Sequence, residues 1–183
     1  MTNESLLIFK AVTRQDNDAF SSLVRMHQGK IRAYLMRLCK SYDLADDIAQ
    51  ETFLTAFRKL HSFKGEGNFS GWLFSIAHNC FLQHIRKTKR RSDITQQFSS
   101  EQEIHAEKYD EICTEQMDLE QALRNLNADE TATITLCHSF GFSHQEVSDI
   151  LSMPLGSVKS NISRGKTKLT NLLTAENGLE KAS

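Results

Sequence analysis

Apolar residues recur three and four positions apart along most of the chain, which is the spacing of one face of an α-helix. The first stripe follows Asp16, a good N-cap residue, and consists of Phe20, Leu23, Val24, Ile31, Tyr34, Leu35 and Leu38. A second stripe, after Asp43, consists of Leu44, Ile48, Phe53, Phe57 and Leu60. A loop with two glycines follows, and then a third helix is predicted from Ser70 to Arg91. Its predicted inner face is Leu73, Ile76, Ala77, Cys80 and, at the margin, His84.

The second half of the chain predicts shorter helices. One spans residues 119–126, and another contains Ile134, Leu136 and Phe140 and ends at Gly141. The run Ser143-His144-Gln145-Glu146 is a capping box, which opens a short helix. After a break at residues 152–154, a longer helix has the inner stripe Leu155, Val158, Ile162, Gly165, Leu169 and Leu172. A short helix, a tight break and a longer helix predict a helix–turn–helix.

Composition favours an all-α fold and excludes several classes of protein. One Pro and eight Gly leave few turn residues for β-hairpins. No apolar run approaches the ~18 residues of a membrane span, and the N-terminus lacks the basic start of a secretory signal. The four cysteines (Cys39, Cys80, Cys113, Cys137) are far apart, which suits a reducing compartment. We therefore expect a soluble, cytoplasmic protein.

Charge is unevenly distributed although the net charge is only −1. Residues 1–92 carry net +7, residues 93–142 net −9 and residues 143–183 net +1. This pattern predicts two small helical domains joined by a flexible acidic linker. The predicted boundaries are 1–92 for the first domain, 93–117 for the linker, 118–175 for the helix–turn–helix domain and 176–183 for a C-terminal tail.

The longer helix of the helix–turn–helix has a polar and basic outer face, which predicts binding to duplex DNA. That face is Ser157, Ser160, Asn161, Arg164 and Lys168, flanked by Lys159 and Lys166. Arginine can read guanine and asparagine can read adenine, while serine and lysine mainly contact phosphates. The alternative is an ordinary amphipathic hairpin with a solvated basic face.

A second candidate site lies on the outer side of the helix from Ser70 to Arg91. One stripe there contains Trp72, Asn79, Gln83, Arg86 and Arg90, with Lys87, Lys89 and Arg91 beside it. An aromatic ring, two amides and cations in line suit a strand of unstacked bases with its phosphates. In the alternative interpretation, Trp72 belongs to the core and the basic run is a solvated helix end.

An enzymatic or metal site has less support. His78, Cys80 and His84 lie within two helical turns, and Cys137 is next to His138. Cys80 and His84 fall on the inner face, however, where packing is the commoner role, and no carboxylate completes a ligand set. We expect neither a bound metal nor a cofactor.

Three segments give the chain a resemblance to a known family. They are Asp47-Ile48-Ala49-Gln50-Glu51-Thr52-Phe53, the run from Phe63 through Phe69-Ser70-Gly71-Trp72 to Asn79, and Leu155-Gly156-Ser157-Val158-Lys159-Ser160 with Arg164. Because these segments occur in this order and at these separations, the chain resembles bacterial RNA polymerase sigma factors of the extracytoplasmic-function (ECF) type. It therefore resembles alternative sigma factors, which have no catalytic site of their own and act on no small-molecule substrate.

The resemblance implies partners for each segment. Asp47, Gln50, Glu51 and Phe53 would dock on the β′ clamp helices of core polymerase. The helices before the helix–turn–helix would meet the β flap. Relatives are usually held inactive by an anti-sigma factor, so a similar partner is expected.

The resemblance also implies how promoter DNA is divided between the domains. The −10 element would be opened and held by Lys64, Trp72, Asn79, Gln83, Arg86, Lys89 and Arg90. The −35 element would be read by Ser157, Lys159, Ser160, Asn161, Ser163, Arg164 and Lys168. Asn161 and Ser163 depart from the family, which usually has a basic and a larger residue there, and this leaves the −35 sequence open.

Two alternatives remain at this point. A stand-alone helix–turn–helix regulator would explain residues 143–173 and leave the other two segments without a role. A structural helical adaptor would show no dependence on DNA. The acidic linker could mimic nucleic acid in a polymerase channel, or could be an ordinary solvated tether.

Overall fold

The computed structural model describes residues 3–63, 68–95 and 121–180, and within helices it leaves undescribed the side chains of residues 92–95, 173 and 175–180. Over the described residues all regular secondary structure is helical, which confirms the predicted fold class. The chain divides into two compact units between residues 105 and 106. None of the helices in the described ranges is long and apolar enough to cross a membrane.

The first unit contains four helices: α1 (Asn3–Arg14), α2 (Asn17–Cys39), α3 (Tyr42–Lys59) and α4 (Phe69–Thr95), with a short 3₁₀ turn at Leu60–Ser62. Helix α2 begins as predicted, because the Asp16 carboxylate accepts hydrogen bonds from the backbone N–H groups of Asp18 and Ala19, both at 3.0 Å. Helix α1 was not predicted. It packs on α2, where Glu4 meets the ring of buried His27 at 2.9 Å.

Helices α2, α3 and α4 pack together around the core of this unit. Its largest fully buried side chains include Leu23, Ile31, Tyr34, Leu35, Leu73 and Phe74. The predicted stripe on α2 is therefore confirmed for most of its members, and Val24 is half-buried. On α4 the predicted residues Leu73, Ile76, Ala77 and Cys80 are buried, and His84 is half-buried.

The prediction for α3 was wrong in two respects. The helix begins after Ser41, whose Oγ accepts the backbone N–H of Leu44 at 3.5 Å, rather than after Asp43. Its buried face consists mainly of small residues (Ala45, Ile48, Ala49, Thr52, Ala56). The predicted inner residue Phe57 lies at the edge of this face: it is 49% exposed, and its ring packs against that of Phe20 with centroids 5.1 Å apart.

Helix α4 also begins differently from the prediction. The side chain of Asn68, one residue before the helix, accepts the backbone N–H of Ser70 at 3.0 Å, so the predicted cap Ser70 lies inside the helix. The helix continues to Thr95, and residues 93–95 of the predicted linker are therefore helical. The rest of the predicted linker lies outside the described residues.

In the second unit the structure describes helices α5 (Ala128–Ile134), α6 (His144–Leu151) and α7 (Leu155–Glu180), with a π turn at Thr135–Ser139 between α5 and α6. Residues 121–123 are helical, and the earlier part of that predicted helix is outside the described ranges. Gly141 ends the π-turn region with φ of +75°, as its predicted role as a helix terminator requires. Helix α7 runs to Glu180, so the predicted tail beginning at residue 176 is helical over most of its length.

Gly165 fixes how closely α7 packs on α5. A Cβ built on Gly165 would overlap Cδ1 of Ile134 and lie 3.6 Å from Cβ of Glu130. A side chain at this position would therefore require the terminal methyl of Ile134 to move. Leu123, Leu126 and Ile134 form the adjoining core cluster, and Leu169 packs against it.

Two helical glycines form a matched pair for a stability test. Gly29 in α2 has open space around it, whereas Gly165 does not. We expect Gly29→Ala to raise the free energy of unfolding by about 0.5–1 kcal/mol, because alanine loses less backbone entropy in a helix. We expect Gly165→Ala to raise it by less than Gly29→Ala does, because the new Cβ must displace Cδ1 of buried Ile134.

Denaturant unfolding of the full chain measures both changes, and hydrogen exchange in α2 and α7 assigns each change to its unit. Equal stabilisation by the two substitutions would contradict the close contact at Gly165.

Candidate nucleic-acid and protein interfaces

Helices α6 and α7 form the predicted helix–turn–helix. The capping box is present: Glu146 N–H donates to Ser143 Oγ at 3.3 Å, and Ser143 N–H donates to Glu146 Oε2 at 2.8 Å. Helix α6 ends at Ser152, which has φ of +50°, and α7 begins after Pro154. Val147, Ile150 and Val158 are buried between the helices. This packing fixes the outer face of α7 relative to α6.

The exposed face of α7 contains most of the residues predicted to contact duplex DNA. Ser157, Lys159, Ser160, Ser163, Arg164 and Lys168 are all exposed. Together these side chains supply three cations and three hydroxyls along one helix. Such a set can bind phosphates and base edges of a duplex.

Asn161 does not lie on this face, which corrects the prediction that it points outward. It is 4% exposed. Its Nδ2 donates to Sδ of Met153 at 3.3 Å, and its Oδ1 accepts from Nη2 of Arg164 at 2.6 Å. The physical reason is helical spacing, because Asn161 follows buried Val158 by three residues and precedes buried Gly165 by four.

Lys168 is held by a residue that the sequence patterns did not single out. Its Nζ lies 2.8 Å from Oε2 of Glu130, a side chain of α5 that is almost fully buried. The same carboxylate accepts the backbone N–H of Asn127 at 3.1 Å as part of a second capping box. The motif Asn127-Ala128-Asp129-Glu130 could have revealed this box, since it is an N-cap residue followed at N3 by glutamate.

Glu130 is a buried carboxylate whose charge is compensated by its surroundings. Burial alone would raise its pKa, but the hydrogen bonds from Lys168 and Asn127 and the positive charges of Lys168 and Arg164 outweigh burial and lower the pKa from its ordinary value. Glu130 is therefore ionised at neutral pH and ties Lys168 of α7 to α5.

The predicted single-strand site lies on the exposed side of α4. Asn79, Gln83, Arg86, Lys89 and Arg90 are all exposed along this helix. Lys64 lies outside the described residues. The stripe thus combines amide and cationic side chains on one continuous helix.

Trp72 is partly in the core and partly exposed. Its ring is half-buried and packs against Phe63 and Phe69, with centroid distances of 5.3 and 5.4 Å. Phe63 and Phe69 flank the loop that contains Lys64 in the sequence. Trp72 therefore supports this aromatic cluster and keeps part of its ring accessible.

The histidine and cysteine side chains considered for metal or thiol chemistry range from buried His78 and Cys80 to exposed His138. His78 is buried, with Nδ1 2.9 Å from the hydroxyl of Tyr34. Burial raises the pKa of Cys39 to about 12 and also raises the pKa of Cys80 and Cys137. These thiols are therefore protonated at neutral pH, which makes them poor nucleophiles and metal ligands.

Among the described residues, no group of three or more histidine, cysteine, aspartate or glutamate side chains is placed to hold a metal ion.

The predicted polymerase-binding residues of α3 differ in how exposed they are. Asp47, Gln50 and Glu51 are exposed on one face. Phe53 is half-buried and lines an apolar hollow with Phe20, Leu23, Val24, Phe69 and Leu73.

Two apolar side chains of α3 that were not predicted as binding residues are exposed instead: Leu54 (52%) and Phe57 (49%). Leu54 follows Asp47 by seven residues and Gln50 by four, so it shares their face. The exposed face of α3 thus has acidic and amide side chains followed, one turn further on, by the apolar side chain of Leu54.

Each of the two units matches a known protein family. Residues 23–91 match Sigma-70 region 2, and residues 116–169 match Sigma-70 region 4. A chain with both regions in this order is of the sigma-factor class.

Comparisons with individual proteins over most of the chain show which group of sigma factors it is similar to. The chain is 31% identical to the ECF RNA polymerase sigma-E factor of Salmonella typhimurium, an alignment that covers 90% of this chain and 92% of the relative. It is 29% identical to the ECF RNA polymerase sigma-E factor of Haemophilus influenzae, covering 93% and 95%. In structure it matches the sigma factor RpoE from Bartonella quintana with a TM-score of 0.70 and 30% identity, covering 85% and 96%.

The chain belongs to the ECF group of the sigma-70 family of RNA polymerase sigma factors. It is an alternative sigma factor, and its family acts in transcription initiation. The alternative of a stand-alone helix–turn–helix regulator leaves the Sigma-70 region 2 match unexplained.

The buried carboxylate of Glu130 makes the second unit sensitive to acid. Because the folded-state pKa is lowered, its stabilising contribution is present above the unfolded-state pKa and is lost as the pH falls through the folded-state value. We expect Glu130→Gln to lower the stability of this unit at neutral pH by about 1–3 kcal/mol and to reduce its dependence on pH in the acid range.

The measurement is denaturant unfolding of the full chain from neutral to acid pH, with hydrogen exchange in α5 and α7 to isolate the second unit. Asp129→Asn is the matched control, because Asp129 is exposed. An equal effect of the two substitutions would contradict the assigned role of Glu130.

Proposed function

We propose that this sigma factor binds core RNA polymerase through α3, opens and holds the −10 element with α4, and reads the −35 element with α7. Phosphodiester chemistry belongs to the polymerase, and this chain contributes no catalytic group and uses no small-molecule substrate. The observation that carries the proposal is the exposed polar and basic stripes on helices α4 and α7 of two separate units.

The exposed face of α3 suits docking on a protein partner. It combines Asp47, Gln50 and Glu51 with the apolar side chain of Leu54, and Phe57 lies beside it. Apolar area supplies binding energy when it is removed from water, and charges around it favour one partner and orientation. We propose that this face binds the β′ clamp helices, and that Phe53 supports it from within the unit.

The exposed side of α4 suits a melted strand. Aromatic rings stack on unpaired bases, amides hydrogen-bond to base edges, and cations follow the phosphates. The aromatic cluster of Phe63, Phe69 and Trp72 stands at the start of the stripe, and the cations lie toward its end. We propose that a base of the −10 element flips out near Asn79, with Arg86, Lys89 and Arg90 along the backbone.

Helix α7 suits the major groove of a duplex. Arg164 is the candidate for base reading, while Ser157, Lys159, Ser160 and Ser163 are placed to contact phosphates or base edges. Lys168 combines a phosphate contact with its ion pair to Glu130. The helices that precede α6 are proposed to meet the β flap.

An anti-sigma factor is the proposed regulator, acting in the cytoplasm. The similar sigma factor RpoE from Bartonella quintana was solved in complex with the anti-sigma factor NepR. Exposed apolar side chains such as Leu54 and Phe57 give such a partner a surface to cover.

The acidic segment between the two units is proposed to pass through a polymerase channel, where its carboxylates replace nucleic acid. It lies outside the described residues, and its support is the charge of the sequence alone.

In vitro transcription with core polymerase on a genomic fragment library tests the function as a whole. We expect this chain to direct initiation at a defined set of promoters sharing −35 and −10 sequences. Failure to associate with core polymerase, or initiation that is unchanged by the chain, would refute the proposal.

Charge reversal on α3 should separate docking from folding. We expect Glu51→Lys to weaken binding to core polymerase at least tenfold, since a like charge across an interface costs several kcal/mol. Size-exclusion co-elution or fluorescence titration with core polymerase measures the loss, and circular dichroism verifies the fold.

Asp18→Lys is the control for Glu51→Lys, because it makes the same charge change at an exposed position of α2. Equal binding by the two variants would count against α3 as the docking face.

Removal of one amide on α4 should affect strand opening. We expect Asn79→Ala to lower discrimination among −10 sequences about tenfold, because one base-edge contact is worth about 1–3 kcal/mol. Permanganate footprinting and competition between −10 variants measure the effect with the holoenzyme.

Thr88→Ala is the matched control, since Thr88 is exposed on the opposite side of α4. Normal opening and discrimination by the Asn79 variant would show that this site is misassigned.

A further inference from the structure

We propose that Asn161 is a positioning residue: it fixes the guanidinium of Arg164 in a single orientation and so sets the base preference at one position of the −35 element without touching DNA. The proposal rests on the proposed role of α7 in reading that element. It also gives a function to a position where the family usually has a basic residue.

In the hydrogen bond between Asn161 and Arg164, the arginine is the donor. A guanidinium can only donate, so the oxygen of the Asn161 amide must face Arg164, at 2.6 Å from Nη2. The amide nitrogen then faces the Sδ of Met153, a weak acceptor, at 3.3 Å. Both ends of the amide therefore have suitable partners in this orientation, and a flipped amide would place two donors together.

Asn161 is in turn fixed by the turn of the helix–turn–helix. Ser148 of α6 accepts the backbone N–H of Met153 at 3.0 Å, and its Oγ donates to the carbonyl of Met153 at 2.5 Å. The neighbouring Ser152 has φ of +50°, which turns the chain between the helices. Contacts therefore lead from α6 through Met153 and Asn161 to Arg164.

Glu130 adds negative charge to the same region of α7. Its buried carboxylate feels the positive charge of Arg164 and forms the ion pair with Lys168, one turn further along α7. The amide oxygen of Asn161 thus accepts from Arg164, and the carboxylate of Glu130 accepts from Lys168 on the next turn of α7. An arginine without such acceptors would move freely among nearby phosphates.

A fixed guanidinium favours base reading over phosphate contact. Nη2 gives one hydrogen to Asn161, and the remaining donors of the planar fork stay available to DNA. Two parallel donors match the O6 and N7 acceptors of guanine in the major groove. Because the side chain is already ordered, less entropy is lost on binding. The ligand class assigned to Arg164 is therefore a guanine at one −35 position.

The test uses holoenzyme assembled from core polymerase and the full chain, with promoters randomised across the −35 element. Arg164→Ala first identifies the position that Arg164 reads. Asn161→Leu has a similar shape and removes the acceptor, whereas Asn161→Asp keeps an oxygen for Arg164. Thr174→Ala, at an exposed position of α7 six residues beyond Lys168, is the control.

We expect Asn161→Leu to reduce the preference for guanine at that position by about tenfold, with other positions unchanged. Asn161→Asp should retain most of the preference, and the control should match the wild type. Thermal unfolding establishes that each variant is folded, and Asn161→Ala replaces the leucine variant if that variant does not fold.

Three results would overturn the proposal: an unchanged preference in Asn161→Leu, a loss spread evenly over all −35 positions, or an Asn161→Asp variant as impaired as Asn161→Leu. A wild-type holoenzyme that shows no −35 preference would instead refute the proposed function of α7.

Discussion

Every binding helix of this sigma factor must bury one face to be stable, and this constraint decides which side chains remain for a partner. Isolated helices of ordinary sequence are marginal in water, so packing on neighbouring helices holds them in place. In α3 the buried face consists mainly of small residues, and larger ones such as Leu54 and Phe57 stay outside. In α7 the glycine at 165 brings the helix onto α5 and leaves Arg164 exposed. Binding surfaces and cores are thus two sides of the same helices.

The charge of each exposed helix face then indicates which kind of partner it suits. The exposed face of α3 carries acidic and amide groups around an apolar side chain, which suits a protein surface, whereas α4 and α7 expose cations, which suit nucleic acid. Glu130 adds a different element, because its ionised carboxylate is buried and stabilises the fold of the second unit while holding Lys168. One charged contact therefore serves stability and the arrangement of the proposed DNA-facing surface together.

Much of this could be predicted from periodicity and capping. The stripe on α2, the Asp16 cap and the Ser143–Glu146 capping box follow from local rules, because each depends on residues near one another in sequence. Two predicted helix starts were wrong because two nearby residues could each serve as the N-cap. Asp43 and Ser70 both suit an N-cap, but Ser41 and Asn68 hold the helix ends. Helix α1 was missed because its stability depends on packing against α2.

Helical spacing and residue type were enough to predict the helical fold class, the two separate units, the family and nearly all residues of the exposed stripes on α4 and α7. Tertiary packing was needed to show that Asn161 bonds to Met153 in the turn, that Phe57 of α3 lies outside, and that Glu130 on α5 reaches Lys168 on α7. The last contact joins residues 38 positions apart, and the others depend on which neighbouring helix occupies each face. No local pattern contains that information, because it arises only when the helices pack.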